Sequence, residues 1–173
     1  MNAPPDIELI RAALTDLRPR MQRFAFGLCG SIHDADDLVQ AGYERALTRL
    51  HQWQRGTRLD SWMYRIIQNI HFNETRSRRS RRTESSEQLD ELRSSADTPR
   101  EALGQITLER VRDCVARLPG EHRSCLLLIA VEGLSYKEAA SVLGIPIGTL
   151  TSRLSRARSA LQQMLEGTTG GHR

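Results

Sequence analysis

Between Leu134 and Thr149 the chain reads LSYKEAASVLGIPIGT, and no other stretch leaves the backbone so little choice. Ser135 followed three residues later by Glu138 is a capping-box pattern, in which hydroxyl and carboxylate satisfy the first free N–H groups of a helix. Ala139, Ala140, Val142 and Leu143 then supply a small-to-medium apolar face. Gly144 ends that helix, because glycine reaches positive φ at little cost. Pro146 suits the first turn of the next helix, where the N–H it lacks would go unused. Two helices, about 136–143 and 147–165, joined by so short a turn and meeting through small residues, make a helix-turn-helix.

The rest of the chain adds helices and no convincing strand. Apolar residues recur at helical spacing through Ile7, Ile10, Leu14, Leu17, Met21, Phe24 and Leu28, with Pro19 predicting a break or a helix start near it. Gly30, Ser31 and the cluster Asp34, Asp36, Asp37 punctuate and cap a second helix, whose apolar side carries Val39, Tyr43, Ala46 and Leu50. After a polar connector from His51 to Arg58, a third helix runs from about Leu59 to Arg76, striped by Leu59, Trp62, Met63, Ile66 and Ile70. Arg76, Arg78, Arg79, Arg81 and Arg82 follow as a basic block. Residues 83–98 are rich in Ser, Glu and Asp and have too little to bury to repay ordering, which predicts a flexible linker. Helical pattern returns from about Pro99 to Leu118 and, after the turn Leu118-Pro119-Gly120, from Glu121 to Val131. The tail beyond Gly167 carries no pattern. Hydrophobic residues make up 39% of the 173 and aromatic ones only 5%, so the core must rest on Leu, Ile, Val and Ala. Such residues fill helix bundles well, whereas large all-β cores usually draw on more aromatic and β-branched side chains. The expectation is all-α: two small helical domains, 7–82 and 99–166, joined by the 83–98 linker.

Composition narrows the function. The formal net charge is a mild +4, but Lys137 is the only lysine. Arginine's planar fork matches phosphate oxygens and guanine edges, which suits nucleic acid, although a GC-rich genome would give the same bias. Cys29, Cys114 and Cys125 are scattered, with no C-x-x-C pair and no histidine at ligand spacing. The N-terminus has neither a basic nor an apolar signal segment, and the run Leu126 to Val131 is far too short to cross a bilayer. These features predict a cytoplasmic protein without metal, cofactor or membrane insertion.

Two faces stand out when side chains are placed at about 100° per residue. On the last helix Leu150, Leu154, Ala157, Leu161 and Leu165 form the core stripe, while Thr149, Ser152, Arg153 and Arg156 share a separate exposed sector, with Arg158 on another flank. A helix built in this way can enter a major groove. On the third helix Arg65, Asn69, Phe72 and Arg76 share one face with Asn73 at its border. Cation, amide and aromatic ring together offer an unpaired base charge, edge hydrogen bonds and stacking. A solvated polar face with one exposed ring has the same pattern.

Four blocks, in order and at their spacing, resemble the extracytoplasmic-function (ECF) subgroup of the bacterial sigma-70 family of RNA polymerase sigma factors. They are DADDLVQ from Asp34, LDSWMYRI from Leu59, Arg117-Leu118-Pro119, and GLSY from Gly133 continuing through SRLSRAR from Ser152. The resemblance spans about residues 9–165 and implies a region 2 domain followed by a region 4 domain. It implies that Asp37, Gln40 and Glu44 dock on the β′ clamp helices of core RNA polymerase, and that region 4 rests on the β flap. It assigns minus-10 binding to Arg65, Asn69 and Asn73, with Asn73 selecting a flipped base and the loop from Arg76 through Arg78 and Arg79 to Arg82 on the backbone. Minus-35 binding falls to Thr149, Ser152, Arg153 and Arg156. Ala41 stands where the family often has an acid, and Thr151 where it often has Lys or Arg. The chain lacks the additional regions of housekeeping sigma factors, as the ECF subgroup does.

The resemblance thus implies a factor that is monomeric when free, directs polymerase to particular promoters, and traps unpaired minus-10 bases by differential binding rather than by chemistry. It also implies control by an anti-sigma factor, in a stress or envelope response. A polymerase-independent helix-turn-helix regulator would account for the C-terminal half but leaves the DDLVQ and Trp62 helices without a role. An enzyme using Asp34, Asp36 and Asp37 lacks any supporting nucleophile, histidine pair or phosphate loop; acids at a helix N-terminus are usually caps. A zinc or redox switch through the cysteines has equally little behind it.

Overall fold

The computed structural model describes residues 7–54, 56–84 and 108–167. Among them are α1 (Ile7–Cys29), α2 (Ile32–Thr48), α3 (Leu59–Glu84), α4 (Leu108–Arg117), α5 (Gly120–Leu126), α6 (Tyr136–Leu143) and α7 (Ile147–Gly167). A 3-10 turn, Leu50–Gln52, follows α2, and α5 runs on into a π-helical turn, Leu127–Val131. No strand occurs among the described residues. The fold is all-α, as expected.

Two sequence expectations are corrected. Pro19 does not break the first helix but sits inside α1. It denies a hydrogen bond to the carbonyl four residues back, a loss of about 3 kcal/mol in an exposed helix. Leu14, Met21, Phe24, Ala25 and Leu28, all at most 2% exposed, continue the core stripe on both sides of it. At roughly 1.5–3 kcal/mol for each large side chain, their burial outweighs the lost bond. The basic block is likewise no loop: α3 carries Arg76, Arg78, Arg79 and Arg81 as helix and reaches Glu84. Arginine is among the better helix formers, and Arg81 donates to Ser77 Oγ at 2.9 Å one turn back. From residue 85 onward the expected linker lies outside the described residues, as do 99–107 of the expected fourth helix and the tail from 168.

The capping box forms as read. Ser135 N–H donates to Glu138 Oε2 at 2.8 Å, and Glu138 N–H to Ser135 Oγ at 3.3 Å. Gly144 stops α6 at φ +65°. On the N-terminal side the helix cap of α2 is Ser31, whose hydroxyl accepts from Asp34 N–H.

The two helical halves, α1–α3 and α4–α7, pack on each other. One continuous core joins Leu14, Phe24, Val39 and Ile67 to Leu128, Leu134, Ala139 and Leu150. Gly27 lets α1 approach the π turn: a Cβ there would lie 2.7 Å from Leu127 Cδ2. A second, smaller core of Leu118, Leu126, Leu154 and Ala157 belongs to the C-terminal half alone.

Polar contacts close the same seam. The Glu132 side chain is 0% exposed and accepts from the Tyr64 hydroxyl, while Arg20 Nε and an Arg23 Nη each lie 3.5 Å from Oε2. Arg20 also binds Asp60 at 2.9 Å and stacks over the Tyr64 ring. Arg58 bridges Asp60, at 2.6 Å, and Glu138, at 2.5 Å. Arg123 donates to Leu28 O at 2.6 Å and Leu118 O at 2.9 Å, so one guanidinium ties the C-terminal ends of α1 and α4, where cations are favoured.

All three cysteines are free thiols. Burial, reinforced by Asp34 and Glu74, pushes Cys29 up to about 11, and burial does the same to Cys125. Only the thiolate reacts, so at pH 8 each should react with a disulfide reagent about 100-fold more slowly than an unshifted thiol. Stopped-flow absorbance with Ellman's reagent on the native chain measures this; burst reaction of either thiol would contradict it.

Candidate nucleic-acid interface

α7 presents its assigned residues unevenly. Ser152 and Arg156 are exposed, Thr149 half-buried. The Ser152 hydroxyl donates to Thr149 O at 3.0 Å, and that of Thr151 to Ile147 O at 2.9 Å. Arg153 is withdrawn: its side chain is 24% exposed and one Nη lies 2.6 Å from Glu121 Oε2 on α5. The stripe Leu150, Leu154 and Ala157, each at most 1% exposed, pins the helix from behind.

On α3 the face read from periodicity exists. Arg65, Asn69, Asn73, Arg76 and Arg79 are exposed beside Phe72, which is 45% exposed. Arg78 is not part of it. At about 100° per residue it falls on the opposite side of the helix. There it lowers the Cys29 and His71 pKa values, in each case behind the larger effect of burial, which raises the thiol and lowers the imidazole. A small cavity of about 190 Å³, lined by Phe72, Arg76, Arg79, His71 and Gln68, opens against Gly120 and Ser124. Arg65 is already engaged, donating to Ser141 O at 2.6 Å at the end of α6.

Sequence reasoning missed the residues around Arg65. A cleft of about 650 Å³ between the halves is lined by Trp53, Arg58, Trp62, Arg65, Glu138 and Ser141, among others. Its signal was two tryptophans and two arginines flanking what was read as a bare polar connector. Asp60 beneath it is only 7% exposed. Burial pushes its carboxyl up, but hydrogen bonds from Arg58, the Ser61 N–H and Arg20 more than offset this and hold it below the usual carboxylate range. Glu138 is lowered as well, by the Ser135 hydroxyl and N–H and then by Arg58.

α2 carries the third surface. Asp37, Gln40 and Glu44 are exposed on one side, Gln40 donating to Glu44 at 3.1 Å, while Leu38, Val39 and Ala46 face the core. His33 lies 3.2 Å from Asp37. No group of three or more His, Cys, Asp or Glu able to hold a metal occurs among the described residues, and no described helix is long and apolar enough to cross a membrane.

Comparison with known proteins agrees with this layout. The family Sigma-70 region 2 matches residues 14–81, and Sigma-70, region 4 matches residues 108–161. The chain is 35% identical over 150 residues to the ECF RNA polymerase sigma factor EcfG of Rhodopseudomonas palustris, covering 85% of this chain and 80% of that one. It is 32% identical over 148 residues to the ECF RNA polymerase sigma factor SigE of Mycolicibacterium smegmatis, covering 84% of this chain and 57% of that one. Among solved structures, the sigma factor RpoE in complex with the anti-sigma factor NepR, from Bartonella quintana, aligns with a TM-score of 0.76 at 28% identity, covering 91% of this chain and 96% of that chain. With regions 2 and 4 matched in order and a relative 35% identical over 85% of this chain, the chain belongs to the ECF sigma factors of the sigma-70 family.

Proposed function

We propose that this chain works in the cytoplasm by docking on the β′ clamp helices through Asp37, Gln40 and Glu44, holding minus-10 DNA on the α3 face of Arg65, Asn69, Asn73, Arg76 and Arg79, and holding the minus-35 duplex on α7 through Thr149, Ser152, Arg153 and Arg156. The observation that carries this reading is the separation of three exposed faces on three helices, each backed by core residues of its own. The acidic and amide face of α2 suits a protein partner. The arginine-rich faces suit phosphate and base edges. Arg78 is left out of the minus-10 set because its side of α3 turns toward Cys29 and His71.

The packed arrangement is not the promoter-bound one. Two elements some 25 base pairs apart are separated by roughly 85 Å of duplex at about 34 Å per ten base pairs. A compact chain of this length is roughly 40 Å across. Arg65, moreover, donates to α6 at 2.6 Å and is spent while the halves touch. The halves must part before both faces meet one promoter, and polymerase, by holding them apart, supplies the spacing. The isolated chain therefore binds promoters poorly. The superposition with a sigma factor solved in an anti-sigma complex supports an anti-sigma factor as the partner that holds this chain closed.

Transcription in vitro with core polymerase and a promoter library tests the assignment. Asn73→Ala should either abolish selective initiation or reorder promoters differing at minus-10 by about tenfold, the scale of one lost base contact. If every promoter keeps its rank with Asn73→Ala, the minus-10 assignment is wrong.

A further inference from the structure

Arg153 differs from the rest of the α7 set. At about 100° per residue it sits roughly 70° from the centre of the core stripe, whereas Arg156 sits roughly 130° away. Its stem therefore runs along α5. There the guanidinium opposes the upward push that burial and Glu121 exert on the Cys125 thiol, which places all three groups together. The contact with Glu121 is short, 2.6 Å, and the Glu121 side chain is 48% exposed at the mouth of this pairing.

An arginine of a recognition helix that meets DNA either neutralises a phosphate or reads a base edge. Phosphate binding draws its strength from released counterions, which needs net positive charge. Arg153 and Glu121 together carry none. A guanine edge instead asks for two parallel donors held in a fixed plane. A guanidinium has five N–H groups, so a carboxylate against one Nη restrains the fork while leaving donors on the other nitrogens for another acceptor. Holding the fork before binding removes an ordering cost that a loose arginine would incur at the DNA.

We propose that Glu121 is a specificity-determining positioning residue, which braces Arg153 to read a guanine in the minus-35 element. This rests on the reading of α7 as the minus-35 helix. Arg156, exposed and further from the core, takes the phosphate role.

The test uses holoenzyme reconstituted with the full chain, either wild type, Glu121→Gln, Arg153→Ala or Arg156→Ala. Promoters carry every single-base change in the minus-35 element, and binding is measured at several salt concentrations. Glu121→Gln keeps the size of the side chain, and circular dichroism checks that each variant is folded. Expected: Glu121→Gln and Arg153→Ala flatten the preference for guanine at the same single position by about tenfold. Freed of its counter-charge, Arg153 in Glu121→Gln also steepens the salt dependence by about one phosphate contact. Arg156→Ala leaves base ranking intact and makes that dependence shallower by about one. The proposal is overturned if Arg153→Ala changes ranking while Glu121→Gln does not, if Arg153→Ala alters only the salt slope, or if neither substitution changes ranking, which would make the pair a structural ion pair only. Should all three variants, Arg156→Ala included, leave minus-35 dependence untouched, the assignment of α7 itself fails and the proposal with it.

Discussion

A Glu132→Ala variant should shift the two halves toward an open form without unfolding either. Glu132 belongs to the C-terminal half, yet its fully buried carboxylate is served by Tyr64, Arg20 and Arg23 of the N-terminal half. Removing it strands the Tyr64 hydroxyl, whose own side chain is fully buried, without an acceptor. An orphaned buried donor costs about 1–3 kcal/mol, and breaking a buried ion pair from one side about 3–5. Arg20 is 31% exposed and keeps Asp60, which argues for the lower end. A change of about 2 kcal/mol shifts the closed-to-open ratio some thirtyfold, since 1.4 kcal/mol is tenfold. Small-angle scattering should record a larger radius of gyration, and transcription at limiting core polymerase should rise because less of the chain must be opened. Gly27→Trp gives the same answer by an independent route: it removes no charge but forces a ring into the place of Leu127, 2.7 Å from where a Cβ would sit. If both variants stay as compact as the wild type, the polar and apolar seam described above does not hold the halves together.

The parts of the molecule written in local sequence were readable in advance. Ser135, Glu138, Gly144 and Pro146 act within a few residues of themselves, so the helix-turn-helix emerges with its caps in place. The face of α3 and the acidic side of α2 follow from periodicity alone, because an exposed residue's position depends only on its own helix. Two local signals misled. Pro19 is a strong breaker only where nothing else holds the helix, and here five buried side chains do. The basic end of α3 has no apolar stripe, yet arginine needs none to stay helical.

What local pattern cannot carry is the seam. Tyr64 and Glu132 are 68 residues apart, Arg20 and the Glu132 carbonyl 112. Nothing in the surroundings of Glu132, between an apolar run and Gly133, marks it as a buried acid rather than an ordinary helix-end charge. The same holds for Glu121, which reads as a first-turn acid and turns out to face a recognition-helix arginine. The two domains read from the sequence are there, and what local pattern could not announce is the shared core of Phe24, Ile67, Leu128 and Leu134, which packs them into a closed form. That form explains why Arg65, a residue assigned to DNA, is found on a carbonyl. The functional surface and the interface that covers it are built from the same helix.

Leu154→Ala should remove minus-35 dependence while sparing docking on the β′ clamp helices. Leu154 is 1% exposed within the small core of Leu118, Leu126 and Ala157, which no residue of α1–α3 enters. Truncating a buried leucine costs about 2–5 kcal/mol, the transfer of the lost carbons plus the cavity left behind. A half of some sixty residues has only about 3–9 kcal/mol to lose, at roughly 0.05–0.15 per residue. The same side chain is the backing against which α7 is held, so a loosened core moves Ser152, Arg153 and Arg156 together, and misplacement of about 1 Å is enough to lose most of a positioned contact. Holoenzyme carrying the variant should lose more than tenfold in its response to minus-35 substitutions at 37 °C. Its affinity for a polymerase fragment carrying the β′ clamp helices, measured by fluorescence anisotropy, should change less than twofold, because α2 rests on the other core. A matching loss of clamp-helix binding would mean that the halves unfold as one unit through their shared residues, and that the small core has no independent standing.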